Sequence, residues 1–258
     1  MEQDEDKTER RRRGIYLLPN LFTTAALFAG FFAIIASING RFGAAAVAIF
    51  VAMLLDGLDG RVARLTNTQS DFGAQYDSLA DMVSFGLAPA LVIYQWALFD
   101  LGKLGWLAAF IYTAGAALRL ARFNTQVGIA DKRYFQGLAS PSAAAIIAGL
   151  VWVGTLYGSD GIPLNAVALA VTVAAGLLMV SNIRYHSFKG IDLRGRVPFM
   201  ATLLVVLILV FVTIHPPVVL FTVFSLYALS GPVLTLVHLR RRRAERRGHG
   251  RGPAPDGD

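Results

Sequence analysis

Residues 54–86 read LLDGLDGRVARLTNTQSDFGAQYDSLADMVSFG, and this stretch decides how the chain is built. Asp56 and Asp59 are three residues apart, and Asp77 and Asp81 are four apart. On helices, either spacing puts both carboxylates on one face. Strongly apolar sequence lies on both sides, before Asp56 and after Asp81. Carboxylates at membrane depth are costly, and they mark function by default. Four of them together repel one another unless cations neutralise the charge.

Working outward, the chain has 258 residues, 55% of them apolar, and a net charge of +7. Its mean hydropathy of +0.54 is too high for an ordinary soluble domain. Apolar runs long enough to cross a bilayer fall at roughly 16–38, 42–65, 73–98, 103–124, 140–158, 163–183, 197–214 and 217–239. The expected fold is therefore an all-α polytopic membrane protein with about eight transmembrane helices. Six crossings are the alternative, if two late runs are re-entrant or interfacial. The domain occupies residues 16–239, between a charged segment at 1–15 and a basic, unstructured tail at 240–258.

The loops orient these spans. Arg64, then Arg122, Lys132 and Arg133, then Arg184, Lys189, Arg194 and Arg196 fall in alternate connections, and the intervening ones are short and poor in positives. By the positive-inside rule the basic set and both termini are cytoplasmic. Arg10 to Arg13 and Arg240 to Arg243 flank the first and last runs. They read as cytoplasmic flanks meeting anionic lipid headgroups, not as a nucleic-acid surface. The absence of cysteine excludes disulfides, thiol nucleophiles and thiolate metal sites. The first run is too long for a signal-peptide core and reads as a retained helix.

On this plan the acidic pairs sit at the cytoplasmic ends of the second and third spans, joined by a short loop from about Leu65 to Phe72. Adjacent antiparallel helices can bring the pairs together. Carboxylate donors suit hard cations, Mg²⁺ or Mn²⁺, and two ions could clamp a displacement at phosphorus. Arg64 could hold a phosphate through charge-assisted hydrogen bonds. Gly60, Ala63 and Gly73 either leave room for a ligand or pack helices closely.

The segment resembles the CDP-alcohol phosphotransferase family, whose signature is D-x2-D-G-x2-A-R-x8-G-x3-D-x3-D. Asp56, Asp59, Gly60, Ala63, Arg64, Gly73, Asp77 and Asp81 fill every fixed position. The resemblance implies two metal ions on the four aspartates, with Asp81 as general base. It also implies a CDP site lined by Gly60, Ala63, Arg64 and Gly73. The segments LLPNLFTTAALFAGFFAI, ALRLARFNT, YFQGLASPSAAA and VSNIRYHSFKG are similar to the bacterial membrane-integral serine-using branch. Asn20 and Thr23 match a pair near the nucleotide in that branch, whereas Ala26 and Ala139 depart from a frequent asparagine and proline. The implied reaction joins CDP-diacylglycerol and L-serine to give phosphatidylserine and CMP. It implies a homodimer in the inner (cytoplasmic) membrane, with the site facing the cytoplasm.

The acceptor is not chosen by the aspartates. Arg119, Arg122, Asn124, Ser140, Ser142 and Arg184 are candidates for binding serine or phosphate, since an arginine fork fits a carboxylate. The alternative reading of the arginines is that they snorkel to headgroups and set topology. Glycerol 3-phosphate or inositol phosphate would want the same residues. An ion transporter with an acidic site is the rival outside enzymes.

Overall fold

The computed structural model describes residues 2–66, 68, 70–126, 134–158, 163–186, 203, 207, 210, 211 and 213–249. The helices are α1 (Glu2–Ile38), α2 (Phe42–Leu65), α3 (Asp71–Asp81), α4 (Ala88–Ile93), α5 (Lys103–Gln126), α6 (Ser140–Tyr157), α7 (Leu164–Val180) and α8 (Pro216–His249). Two π-helical segments, Met82–Leu87 and Tyr94–Leu98, flank α4. One antiparallel ribbon pairs β1 (Tyr134–Gln136) with β2 (Arg184–His186).

Six stretches among the described residues are long and apolar enough to cross a membrane: Pro19–Ile38, Phe42–Leu65, Asp71–Leu101, Lys103–Thr125, Ser140–Tyr157 and Pro216–Thr235. The chain is thus a helical integral membrane protein. The expectation of eight spans is met only in part. The run at 163–183 forms α7, a shorter helix of 17 residues, about 26 Å long at the usual rise per residue. It stops because Ser181 turns extended and leads into β2. The expected span at 197–214 lies largely outside the described residues, as do Lys132, Arg133, Lys189, Arg194, Arg196 and residues 250–258. α8 runs on through the arginines to His249, into the stretch read from sequence as an unstructured tail. Arginine, alanine and glutamate there are good helix formers.

Small residues set the packing. Ala29, Ala33 and Ala36 on α1 and Ala45, Ala48, Ile49 and Ala52 on α2 are buried at helical spacing. This lets the two helices pack closely without bulky side chains between them. The turn between them is a Schellman cap: Arg41 N–H donates to Ala36 O at 2.8 Å and Gly40 N–H to Ser37 O at 3.0 Å. Gly40 takes φ +70° there. α5 and α7 cross closely, and a Cβ on Gly176 would stand 2.9 Å from Tyr112 Cα. α6 is buried almost continuously from Ala143 to Val151, as befits a helix apolar all round. Many large side chains on other helices are exposed, including Phe28, Leu54, Leu118 and Leu226. In a membrane protein such faces meet acyl chains.

The third span departs most from a regular helix. Two π segments interrupt it, the first directly after Asp81. Such bulges are frequent at functional sites. Ser84 in this segment donates to Ala26 O on α1 at 3.1 Å, and Tyr112 of α5 donates to Phe85 O at 3.0 Å. Gly30 of α1 lies against Ser84, whose Cα would be 2.7 Å from any added Cβ. The backbone beside Asp81 is therefore held from two sides.

Candidate active site

The acidic faces of α2 and α3 meet as their order in the chain demands. Ser70 caps α3 by accepting from Gly73 N–H at 3.1 Å, and Asp71 occupies the first turn. Both features favour helix initiation there. They place Asp77 and Asp81 about two and three turns further on, facing the end of α2.

Asp56, Asp59 and Asp77 each offer a carboxylate oxygen, and these oxygens lie within 4.8 Å of one another. Asp81 joins them through a close carboxyl–carboxyl contact with Asp56. A carboxyl–carboxyl contact needs a proton or a cation between its oxygens. Asp59 is 5% exposed and accepts from Thr23 Oγ1 of α1 at 2.7 Å. Asp77 Oδ1 is buried without a hydrogen-bond partner among the described residues. An orphaned buried carboxylate oxygen is expensive, and a cation would satisfy it. The donor set is all oxygen and fits a hard divalent ion.

The signature glycines divide. A Cβ at Gly60 would meet nothing within 4 Å, so this glycine borders open space and is not a packing contact. A Cβ at Gly73 would lie 3.2 Å from Ser70 Oγ and 3.5 Å from Asn20 Oδ1. Asn20 is thus at the start of α3, beside the cap. Ala63 is half-buried. Arg64 is exposed and folds back along its own helix, with Nε donating to Gly60 O at 2.8 Å.

Of the acceptor candidates, Arg119 is close enough to Asp81 to feel its charge, and its Nη1 donates to Ser140 Oγ at 2.8 Å. Its Nε is buried with no partner among the described residues. Ser140 is fully buried and Ser142 half-buried two positions on. Arg122 instead ties α5 to the end of α7, donating to Asn182 Oδ1 at 3.3 Å and, more weakly, toward Ser181 O at 3.5 Å. Asn124 bonds Ser78, the neighbour of Asp77, at 3.0 Å. The backbone of Arg184 pairs opposite Gln136 in the ribbon, and its side chain is outside the described residues.

Sequence reasoning passed over several residues here. Tyr76 meets Thr24 Oγ1 at 2.9 Å, and Ser78 holds Asn124. Ser78 follows Asp77 directly, so its place on the motif helix was a usable signal.

The fold and this site define a polytopic membrane protein with a carboxylate centre suited to binding metal. A model of the CDP-alcohol phosphatidyltransferase family matches residues 16–180, and the chain belongs to that family. A Helicobacter pylori protein named CDP-diacylglycerol–serine O-phosphatidyltransferase is 37% identical over 217 residues, covering 84% of this chain and 90% of that protein. A Mycobacterium bovis protein of the same name is 40% identical, over 58% of this chain and 54% of its own. An archaetidylserine synthase from Methanothermobacter thermautotrophicus is 35% identical, over 67% and 71%.

Proposed function

We propose that the chain transfers the phosphatidyl group of CDP-diacylglycerol to the hydroxyl of L-serine, giving phosphatidylserine and CMP. The observation that carries this reading is the convergence of the aspartates, with a buried Asp77 oxygen left for a cation. The choice of serine follows the names of the relatives, which include serine phosphatidyltransferases from several lineages.

Asp56, Asp59, Asp77 and Asp81 would hold two Mg²⁺ or Mn²⁺ ions, which when bound neutralise the pyrophosphate and the charge growing on the departing CMP. Gly60 leaves space for the nucleotide, with Ala63, Gly73, Asn20 and Thr23 lining it. Arg64 swings from its own helix to a phosphate oxygen. Asp81, in contact with Asp56 and within reach of the Arg119 charge, takes the proton from the serine hydroxyl. The serine oxygen forms a bond to the phosphorus that carries diacylglycerol. The bond from that phosphorus to the oxygen bridging to CMP breaks in line. Arg119, with its unpartnered Nε and its bond to Ser140, receives the serine carboxylate, and Arg122, Asn124, Ser142 and Arg184 are the further candidates for holding serine or phosphate. Most of the rate gain is positioning and charge stabilisation.

The positive-inside pattern supports eight crossings with both termini in the cytoplasm and the site at the cytoplasmic face of the inner membrane. Acyl chains of the donor then stay in the inner leaflet while serine arrives from water. Two copies are expected to associate, as the family resemblance implies.

The test is purified full-length chain given CDP-diacylglycerol, Mn²⁺ or Mg²⁺, and in turn serine, glycerol 3-phosphate and inositol phosphate. CMP release and phosphatidylserine formation with serine alone are expected. Product with another alcohol and none with serine overturns the acceptor. Metal flux across vesicles without CMP release overturns the enzyme reading.

A further inference from the structure

Asp77 keeps its place without a bond to its own buried oxygen. Its Oδ1 has no hydrogen-bond partner among the described residues. Yet Asp56, Asp59 and Asp77 offer oxygens within 4.8 Å of one another. Carboxylates that close repel, so α3 must be held against α2. Packing contributes little to this hold: of the 11 residues of α3, only Ala80 is buried.

The hold comes from the two residues on either side of Asp77. Successive side chains on a helix are about 100° apart, so Tyr76 and Ser78 flank the carboxylate and reach different neighbours. Tyr76 reaches α1, with its hydroxyl 2.9 Å from Thr24 Oγ1. Thr24 donates its own proton to Asn20 O at 2.7 Å, which leaves Tyr76 as the donor. The Tyr76 ring also stacks on Phe72, one turn earlier, with centroids 6.0 Å apart and planes at 12°. Ser78 reaches α5. It accepts from Asn124 Nδ2 at 3.0 Å, and its own proton has Ala74 O at 3.1 Å, with Asn124 Oδ1 more distant at 3.3 Å.

The contact on α1 joins both halves of the acidic cluster. Thr23 donates to Asp59 of α2 at 2.7 Å, and the next residue, Thr24, accepts from Tyr76 of α3. One stretch of α1 thus ties α2 to α3, while Asn124 holds α3 from the side of α5. A ligand fixed before its ion arrives carries a smaller ordering cost on binding.

We propose that Tyr76 and Ser78, two positions that the signature G-x3-D-x3-D leaves open, clamp α3 between α1 and α5 and so hold the Asp77 carboxylate where a divalent cation needs it. This rests on the cation reading above. Both are positioning residues: they act through Asp77 and its helix and touch neither ion nor substrate.

The experiment is titration of Mn²⁺ into the full chain in detergent, without donor or acceptor, with the free ion read by electron paramagnetic resonance. Tyr76→Phe and Ser78→Ala are each expected to raise the Mn²⁺ dissociation constant about fivefold, the size of one neutral hydrogen bond. The melting temperature of the metal-free protein should stay unchanged. Phenylalanine keeps the stack on Phe72, so only the hydroxyl is tested. Ser78→Thr keeps a hydroxyl and should bind Mn²⁺ as wild type does. Thr24→Val and Asn124→Ala remove the same two bonds from their other ends and should reproduce the losses. The Ser78→Ala/Asn124→Ala double variant should bind no more weakly than Ser78→Ala alone, because both changes delete one bond. Unchanged Mn²⁺ affinity in either Tyr76→Phe or Ser78→Ala overturns the proposal. So do losses that multiply in the double variant, or a Ser78→Thr protein as weak as Ser78→Ala with a lowered melting temperature. A wild type that leaves all Mn²⁺ free overturns the cation reading and the clamp with it; a wild type that binds Mn²⁺ beside variants that bind it equally overturns the clamp alone.

Discussion

Thr23→Val isolates the support that α1 gives to the carboxylate cluster. Thr23 is 4% exposed, and its hydroxyl donates to Asp59 Oδ2 at 2.7 Å. The same hydroxyl has Pro19 O at 3.2 Å as a second acceptor, so one proton serves two oxygens and the shorter, charged one takes most of it. Valine keeps the shape and the branching at Cβ, so the helix and its packing are preserved. What disappears is a hydrogen bond to a charged group, about 1.5–3 kcal/mol in general. Loss of a partner that orients a metal ligand costs about 10- to 100-fold in metal affinity or activity. The lower end applies here, because Asp59 is one of four ligands and the proton was already shared. CMP release is measured against Mn²⁺ or Mg²⁺ concentration. The half-saturating metal concentration should rise about tenfold, with most of the rate recovered at saturating metal and the melting temperature unchanged. Superimposable metal curves for the variant and wild type would refute the idea that Thr23 tunes this site through Asp59.

Asp77→Asn replaces an orphaned acceptor with an amide; activity should fall about a hundredfold without rescue by added metal, while the fold survives because one of four like charges is gone. Chelation of the wild-type protein should abolish CMP release and readdition of Mg²⁺ or Mn²⁺ restore it; activity that persists in chelator contradicts the cation reading. Gly60→Leu should fold normally, since a Cβ there meets nothing within 4 Å, yet raise the KM for CDP-diacylglycerol; an unchanged KM would mean the space is not used by the donor. Gly176→Val should lower the melting temperature sharply, because the Tyr112 backbone stands 2.9 Å from the new Cβ and overpacking costs about 1–3 kcal/mol or more; a wild-type melting curve refutes the close crossing.

The aspartate pairs were legible because helical spacing is a local property. Asp56 with Asp59, and Asp77 with Asp81, share faces whatever the rest of the chain does. The short link between them left one arrangement, so their meeting was legible too. The spans were legible from length and hydropathy, except that α7 is shorter than the run that announced it. Hydropathy does not register Ser181 turning the backbone extended. The breaks in the third span were also invisible. Nothing in MVSFGL names a π segment; that geometry goes with contacts from Ala26, Gly30 and Tyr112 on other helices.

The two roles left open for the glycines show the same limit. Gly60 borders empty space, whereas Gly176 lies against another backbone, and the residue type is identical in both. Among the arginines, Arg119 was separated from Arg122 only by what surrounds each: Ser140 and Asp81 for one, the end of α7 for the other.

The sequence alone determined that this chain lies in a membrane, that two pairs of carboxylates, each about one helical turn apart, lie on neighbouring helices, and that they call for cations. These follow from periodicity and the cost of charge in an apolar setting, which need no partner residue to be known. Which arginine comes within reach of Asp81 and which glycine is open were decided by tertiary structure. Those are contacts between segments far apart in the chain, and their selection depends on how well surfaces fit, a quantity no local pattern encodes.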